Sequence, residues 1–189
     1  MPDLSDTIQE STEHARESKL NGLVAIWVAL TATFMALCDV KDGNIGQAMA
    51  QAQAHSIDAW SYFQAKSTKE VVVQNSLELL RAQKSPGYEE LAKKYEGDLA
   101  RYEKEKAEIK KQAEGYQQEY DHLNLFDDQF DMTDAFLSIA IALFGVTALT
   151  QRKWLFYFAA AVSLLGIILG FAAFLKISLH SDFISGILG

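Results

Sequence analysis

Three stretches of the chain carry no charged side chain: residues 20–38, 135–151 and 154–175, of 19, 17 and 22 residues. A helix that crosses the hydrocarbon of a bilayer needs about 20 apolar residues, within a range of about 17–25. Residues 39–132, between the first two stretches, hold 30 of the chain's 42 charges. This segregation excludes a simple soluble domain. It predicts an all-α protein of three transmembrane helices, with a long antiparallel helical (coiled-coil) hairpin inserted between the first and second spans. The expected organisation is a polar N-terminal segment (1–19), spans at 20–38, 133–151 and 154–176, an extramembrane insertion (39–132) and a C-terminal interfacial segment (177–189). Thr133 and Asp134 sit at the interface of the second span.

The first apolar run exceeds the about 7–15 residues of a cleaved signal peptide's core, and the segment before it is acidic rather than basic. Leu37 is too large for lipoprotein processing at Cys38, which reads instead as a buried thiol closing an uncleaved anchor helix. Each span carries a lengthwise stripe of small residues. These are Gly22, Ala25, Ala29, Ala32 and Ala36 in the first, and Ala135, Ser138, Ala142 and Gly145 in the second. The third has Ala159, Ser163, Gly166, Gly170 and Ala173, with Gly166 and Gly170 forming a GxxxG. Steps of three and four keep each stripe on one face, where helices in lipid approach closely and gain van der Waals contact. Helix packing is therefore expected at Gly22, Ala25, Ala29, Gly145, Gly166 and Gly170, within one chain or between copies.

No ionisable residue lies inside a span, which counts against a pump or a proton-coupled transporter. The short basic loop Gln151-Arg152-Lys153 and the residues Arg16 and Lys19 favour a cytoplasmic N-terminus. Lys and Arg are missing from 112–151, which favours a periplasmic insertion.

Within the insertion a strict seven-residue repeat runs through Tyr88, Tyr95, Tyr102, Ile109, Tyr116, Leu123 and Phe130, the pattern of a coiled coil. A second, less regular line follows Leu91, Leu99, Ala113, Tyr120 and Phe126. The preceding arm has its own 3.5-residue period through Ile45, Met49, Ala52, Ser56, Ala59, Phe63, Lys66, Glu70, Val73, Leu77 and Leu80. Lys84-Ser85-Pro86-Gly87 separates the arms, Pro and Gly stopping one helix and admitting the next. Folding there pairs positions whose numbers sum to about 171. Phe63 then meets Ile109, Lys66 faces Glu105, and Glu70 faces Arg101. These charged pairs read as register devices, since a slipped register would leave each charge unmatched. Trp60, Tyr62 and Tyr120 fall off the stripes and are candidates for contacts between copies.

The chemistry-bearing residues are sparse. The single cysteine excludes an intrachain disulfide and a Cys/His zinc pattern. His14, His55, His122 and His180 are scattered. The acidic run Asp121, Asp127, Asp128, Asp131 and Asp134 lacks the spacing of an EF-hand loop and reads as a solvated flank of the second span. No phosphate-loop, nucleophile-elbow or dinucleotide motif occurs. The expectation is a protein that is not an enzyme and holds no cofactor or metal. The acidic balance, with net charge −8, argues against nucleic acid as a partner. The expected partners are the lipid bilayer and further copies of the chain in a homo-oligomer, with other membrane proteins as further candidates.

The order of acidic tail, span, Ala/Gln-rich arm, the run Trp60-Ser-Tyr-Phe-Gln-Ala-Lys-Ser-Thr-Lys-Glu, Lys/Glu-rich second arm and two closing spans resembles a bacterial multi-pass membrane-protein family. That family is known only as a domain of unknown function. The resemblance covers nearly the whole chain, and 60–70 is its most specific part, where Phe63 departs mildly from the family's W-x-Y-[YF]-Q-A-K-S-[IT]-K. It implies a bacterial inner-membrane location and transfers no activity. The reading that follows is a membrane-anchored hairpin scaffold or assembly protein of the bacterial envelope. Its rivals are an oligomeric channel or transport protein and an accessory subunit of another membrane complex.

Overall fold

The computed structural model describes residues 4–83 and 87–177, with side chains from Lys19 onward. These form three helices, α1 (Leu4–Gln83), α2 (Tyr88–Thr150) and α3 (Lys153–Phe174), and no strand among the described residues. None of the described helix residues is a proline. No helix therefore loses a backbone donor or meets a proline ring in its interior. Gly87 (φ +81°) takes a left-handed conformation open to glycine at little cost and precedes α2, whose first turn carries Glu89 and Glu90 at the positive end of the helix dipole.

The other two breaks use residues less suited to them. Gln151 ends α2 with φ +53°, its amide N–H donating to the Thr147 carbonyl at 2.9 Å, and an extended Arg152 then caps α3. Lys176 has φ +57°, while Ile177 N–H donates to Ala172 O at 2.9 Å and Lys176 N–H to Ala173 O at 3.0 Å. This is the left-handed ending that usually takes glycine. Of the expected interfacial segment (177–189) all but Ile177, and residues 84–86 of the expected turn, lie outside the described residues.

The chain divides into two compact units, residues 1–46 with 124–189 and residues 47–123. In the first, α1, the C-terminal part of α2 and α3 pack around Leu20, Val24, Ala140, Phe144, Phe156 and Ala159. Trp27 stacks on Phe144 and Phe144 meets Phe156 at a tilt across it, with ring centroids 6.3 and 5.8 Å apart. A second aromatic group, Phe34, Phe130, Phe171 and Phe174, fills the space nearer the end of α3. In the second unit, α1 and α2 pack along Met49, Ala52, Ser56 and Leu77 on one side and Ala92, Ile109 and Ala113 on the other, all buried.

Candidate functional site

The contacts of residues 47–123 pair falling numbers on α1 with rising numbers on α2. Ser56 Oγ donates to Ala113 O at 3.4 Å, and the His55 and Tyr116 rings lie 5.1 Å apart. Ala52 and Ala113 at this level leave room for close backbone approach. Lys66 Nζ lies 2.5 Å from Glu105 Oε2, between the rings of Tyr62 and Tyr102 at 5.3 and 5.4 Å. The hydrogen bond between them holds the Lys66 ammonium above its ordinary pKa and the Glu105 carboxyl below its own.

Glu70 departs from the sequence reading. Its partner is Lys106, not Arg101. Arg101 sits one position before Tyr102, on the outer side of the seam, and spends its guanidinium on its own helix, on Asp98 at 2.8 Å and Glu105 at 3.8 Å. Lys106 follows Glu105 on the inner side and reaches across, with its Nζ 5.4 Å from the Phe63 ring centroid. Arg81 and Glu96, at 2.6 Å, add a further cross-helix pair. The second line of α2 is buried or half-buried at Leu99, Ala113, Tyr120 and Phe126 and departs only at its first position, where Leu91 is 40% exposed and Ala92 is buried instead. Trp60 and Tyr62 are exposed, Trp60 meeting Phe63 edge to face at 5.6 Å, whereas Tyr120 is half-buried.

In the three-helix unit the small-residue stripes do not share one role. That of α3 is buried throughout, at Ala159, Ser163, Gly166, Gly170 and Ala173. A Cβ on Gly166 would lie 2.8 Å from Leu137 Cδ2, and one on Gly170 would lie 2.8 Å from Phe34 Cε1 and 3.0 Å from Thr133 Cγ2. Gly22, Ala25, Ala29 and Gly145 instead lie on exposed faces, and Gly22 and Gly145 have open space where a Cβ would be. The reason is the shape of the contact. The glycines of α3 leave grooves that receive Leu137, Phe136 and Phe34 from its neighbours, while α1 buries Val24, Thr31 and Cys38 and α2 buries Leu137, Phe144 and Thr147 rather than their small-residue stripes.

The buried hydroxyls described in this unit are bonded within it. Thr31 Oγ1 and Ser163 Oγ lie 2.8 Å apart, both residues fully buried. Thr133 and Thr147 donate back to Gln129 O and Leu143 O, and Gln129 Nε2 donates to Leu169 O at 3.0 Å. Gln151 Nε2 ties α2 to α1 through Asn21 Oδ1 at 2.9 Å.

Where α1 leaves the core, acidic residues meet across α1 and α2. Asp42 hydrogen-bonds to Asp127, and burial followed by repulsion from Asp127, Asp131 and Asp39 pushes its carboxyl up to about 6. Below about pH 6 Asp42 therefore holds the proton of this hydrogen bond. Burial and Asp131 raise Asp127 as well, opposed by that hydrogen bond. Asp42 Oδ1 is buried without a hydrogen-bond partner among the described residues. The flank expected to be solvated is thus partly turned inward. Among the described residues no group of three or more His, Cys, Asp or Glu side chains is arranged to hold a metal ion. Sequence patterning missed Lys106, the Thr31–Ser163 bond and the Asp42–Asp127 contact; only Lys106 had a signal, its place one residue beyond a seam position.

The chain is thus an all-α protein whose three helices are each long and apolar enough to cross a membrane. Residues 20–176 match the family model described as Domain of unknown function (DUF4337), and the chain belongs to that family. No curated protein and no solved structure matches it.

Proposed function

We propose that this chain is a membrane-anchored scaffold or assembly protein of the bacterial envelope. Its three apolar helical segments span the inner membrane, with the N-terminus cytoplasmic, and residues 39–132 form a periplasmic antiparallel coiled-coil hairpin. Copies of the chain associate through the outward faces of both parts. The observation that carries this reading is the mutual bond of Thr31 and Ser163. The deepest hydroxyls are used to join helices, and the outward faces of the same helices present Leu23, Ile26, Leu30, Ile139, Val146, Leu165 and Ile168, suited to lipid or to other spans. The exposed rings of Trp60 and Tyr62 support self-association of the hairpin, since aromatic side chains are enriched where protein surfaces meet.

Purified protein in a planar bilayer should show no unitary conductance, because no span offers a ring of charge. Reproducible single-channel steps, altered by Thr31→Asp, would replace the scaffold with a channel.

A further inference from the structure

The three-helix unit contains a half-open cleft of about 230 Å³ where the apolar run of α1 and the start of α3 lie side by side. Its lining is Lys19, Leu20 and Leu23 from α1 and Lys153, Phe156 and Tyr157 from α3. Leu20 and Phe156 are buried members of the core, so the floor is held in place, while Leu23 and Tyr157 stand exposed as walls. Both lysines are exposed at the rim. Among the described residues no carboxylate lines the cleft and neither lysine has an ion-pair partner.

Two ammonium groups beside one apolar floor select an amphiphile. An anion at the rim relieves their repulsion, and only a ligand with an attached hydrocarbon also covers Leu23, Phe156 and Tyr157. The volume falls below the about 300–1,000 Å³ of a pocket that engulfs a drug-sized molecule, so it suits one end of an elongated ligand. Each lysine also stands immediately before a charge-free run, Lys19 before 20–38 and Lys153 before 154–175. In a spanning helix that position is headgroup depth.

We propose that this cleft is a binding site for one anionic phospholipid, with its phosphate held by Lys19 and Lys153 and the upper part of an acyl chain along Leu23, Phe156 and Tyr157. Basic pockets between spanning helices hold anionic head groups in this way. The site rests on the membrane-spanning reading above. It gives the cytoplasmic end of the unit a preference for lipid charge, separate from any self-association.

The test uses the full chain in nanodiscs of mixed phosphatidylglycerol and phosphatidylcholine, with retained lipid counted by native mass spectrometry after delipidation. Wild type should keep phosphatidylglycerol in preference to phosphatidylcholine. Lys19→Gln and Lys153→Gln should each weaken that preference about fivefold, while Lys104→Gln, an exposed lysine of the 47–123 unit, leaves it unchanged. Equal retention by wild type and the Lys19→Gln/Lys153→Gln pair would overturn the site. So would displacement of the lipid by inorganic phosphate at concentrations that leave the bilayer intact, which would make free phosphate the ligand. Alkaline extraction of native membranes separates the two readings. Wild type and the paired variant should both stay with the membrane; release of wild type would remove the membrane reading and this site with it.

Discussion

Thr31 of α1 and Ser163 of α3 share a hydrogen bond of 2.8 Å at a point where neither side chain reaches the surface of the unit. Each hydroxyl is the other's partner, so removing one orphans the other. Thr31→Val or Ser163→Ala should each cost about 1 kcal/mol, and the pair together less than the sum, with a coupling of about 0.6–1.7 kcal/mol. Unfolding in mixed detergent checks this; additive losses would mean that the bond contributes nothing.

The glycines separate by position. Gly170→Ala places a methyl against Phe34, whose ring is stacked on Phe171 at 5.0 Å, and Gly166→Ala meets Leu137 and Phe136. Each should destabilise by about 1–3 kcal/mol through overpacking. Gly22→Ala and Gly145→Ala meet nothing among the described residues and should gain up to about 1 kcal/mol in helix propensity. Equal losses at all four positions would place the outward glycines in a contact between copies.

The charge pairs of the 47–123 unit can be exchanged. Glu70→Lys should lower the thermal midpoint, and adding Lys106→Glu should recover more than half of the loss. Adding Arg101→Glu to Glu70→Lys should recover none of it, because Arg101 serves Asp98 and Glu105 on its own helix. Recovery with Arg101 and not with Lys106 would restore the pairing expected from sequence.

Asp42 makes stability depend on pH. Its carboxyl titrates at about 6 in the fold, against about 3.9 in an unfolded chain, so the folded state holds the extra proton between these values. Stability is greatest below the unfolded value and falls as pH rises through about 6. Screening of a partly exposed group reduces the effect to about 1 kcal/mol, which is about 2–4 °C in midpoint for a chain of this size. The midpoint should therefore drop between pH 5 and pH 7.5, and Asp42→Asn should shrink the drop. A midpoint that rises over this range would contradict the assignment.

Much of the fold was legible from periodicity because burial and charge exclusion act on every residue of a long helix. The arm positions from Met49 to Leu80 lie buried or half-buried as their 3.5 period requires, and Lys66 faces Glu105. What was not legible depends on which of several similar faces turns inward. All three spans have small-residue stripes, and composition does not reveal that one grooved helix, α3, suffices to receive Phe34 and Leu137. Side-chain reach was likewise invisible, since Lys106 spans to Glu70 from a position that a rigid register assigns to no pair. The Asp42–Asp127 contact was hidden because an acidic run beside a span has an ordinary solvated reading.

The scaffold reading also requires association between copies, for which the exposed rings of Trp60 and Tyr62 are the candidates. A photo-crosslinking phenylalanine analogue at Tyr62, activated in native membranes at ordinary expression levels, should give covalent dimers and larger species of this chain alone, diminished when Trp60→Ala is added. Monomer as the sole product, at Tyr62 and with the analogue moved to Trp60, would contradict it.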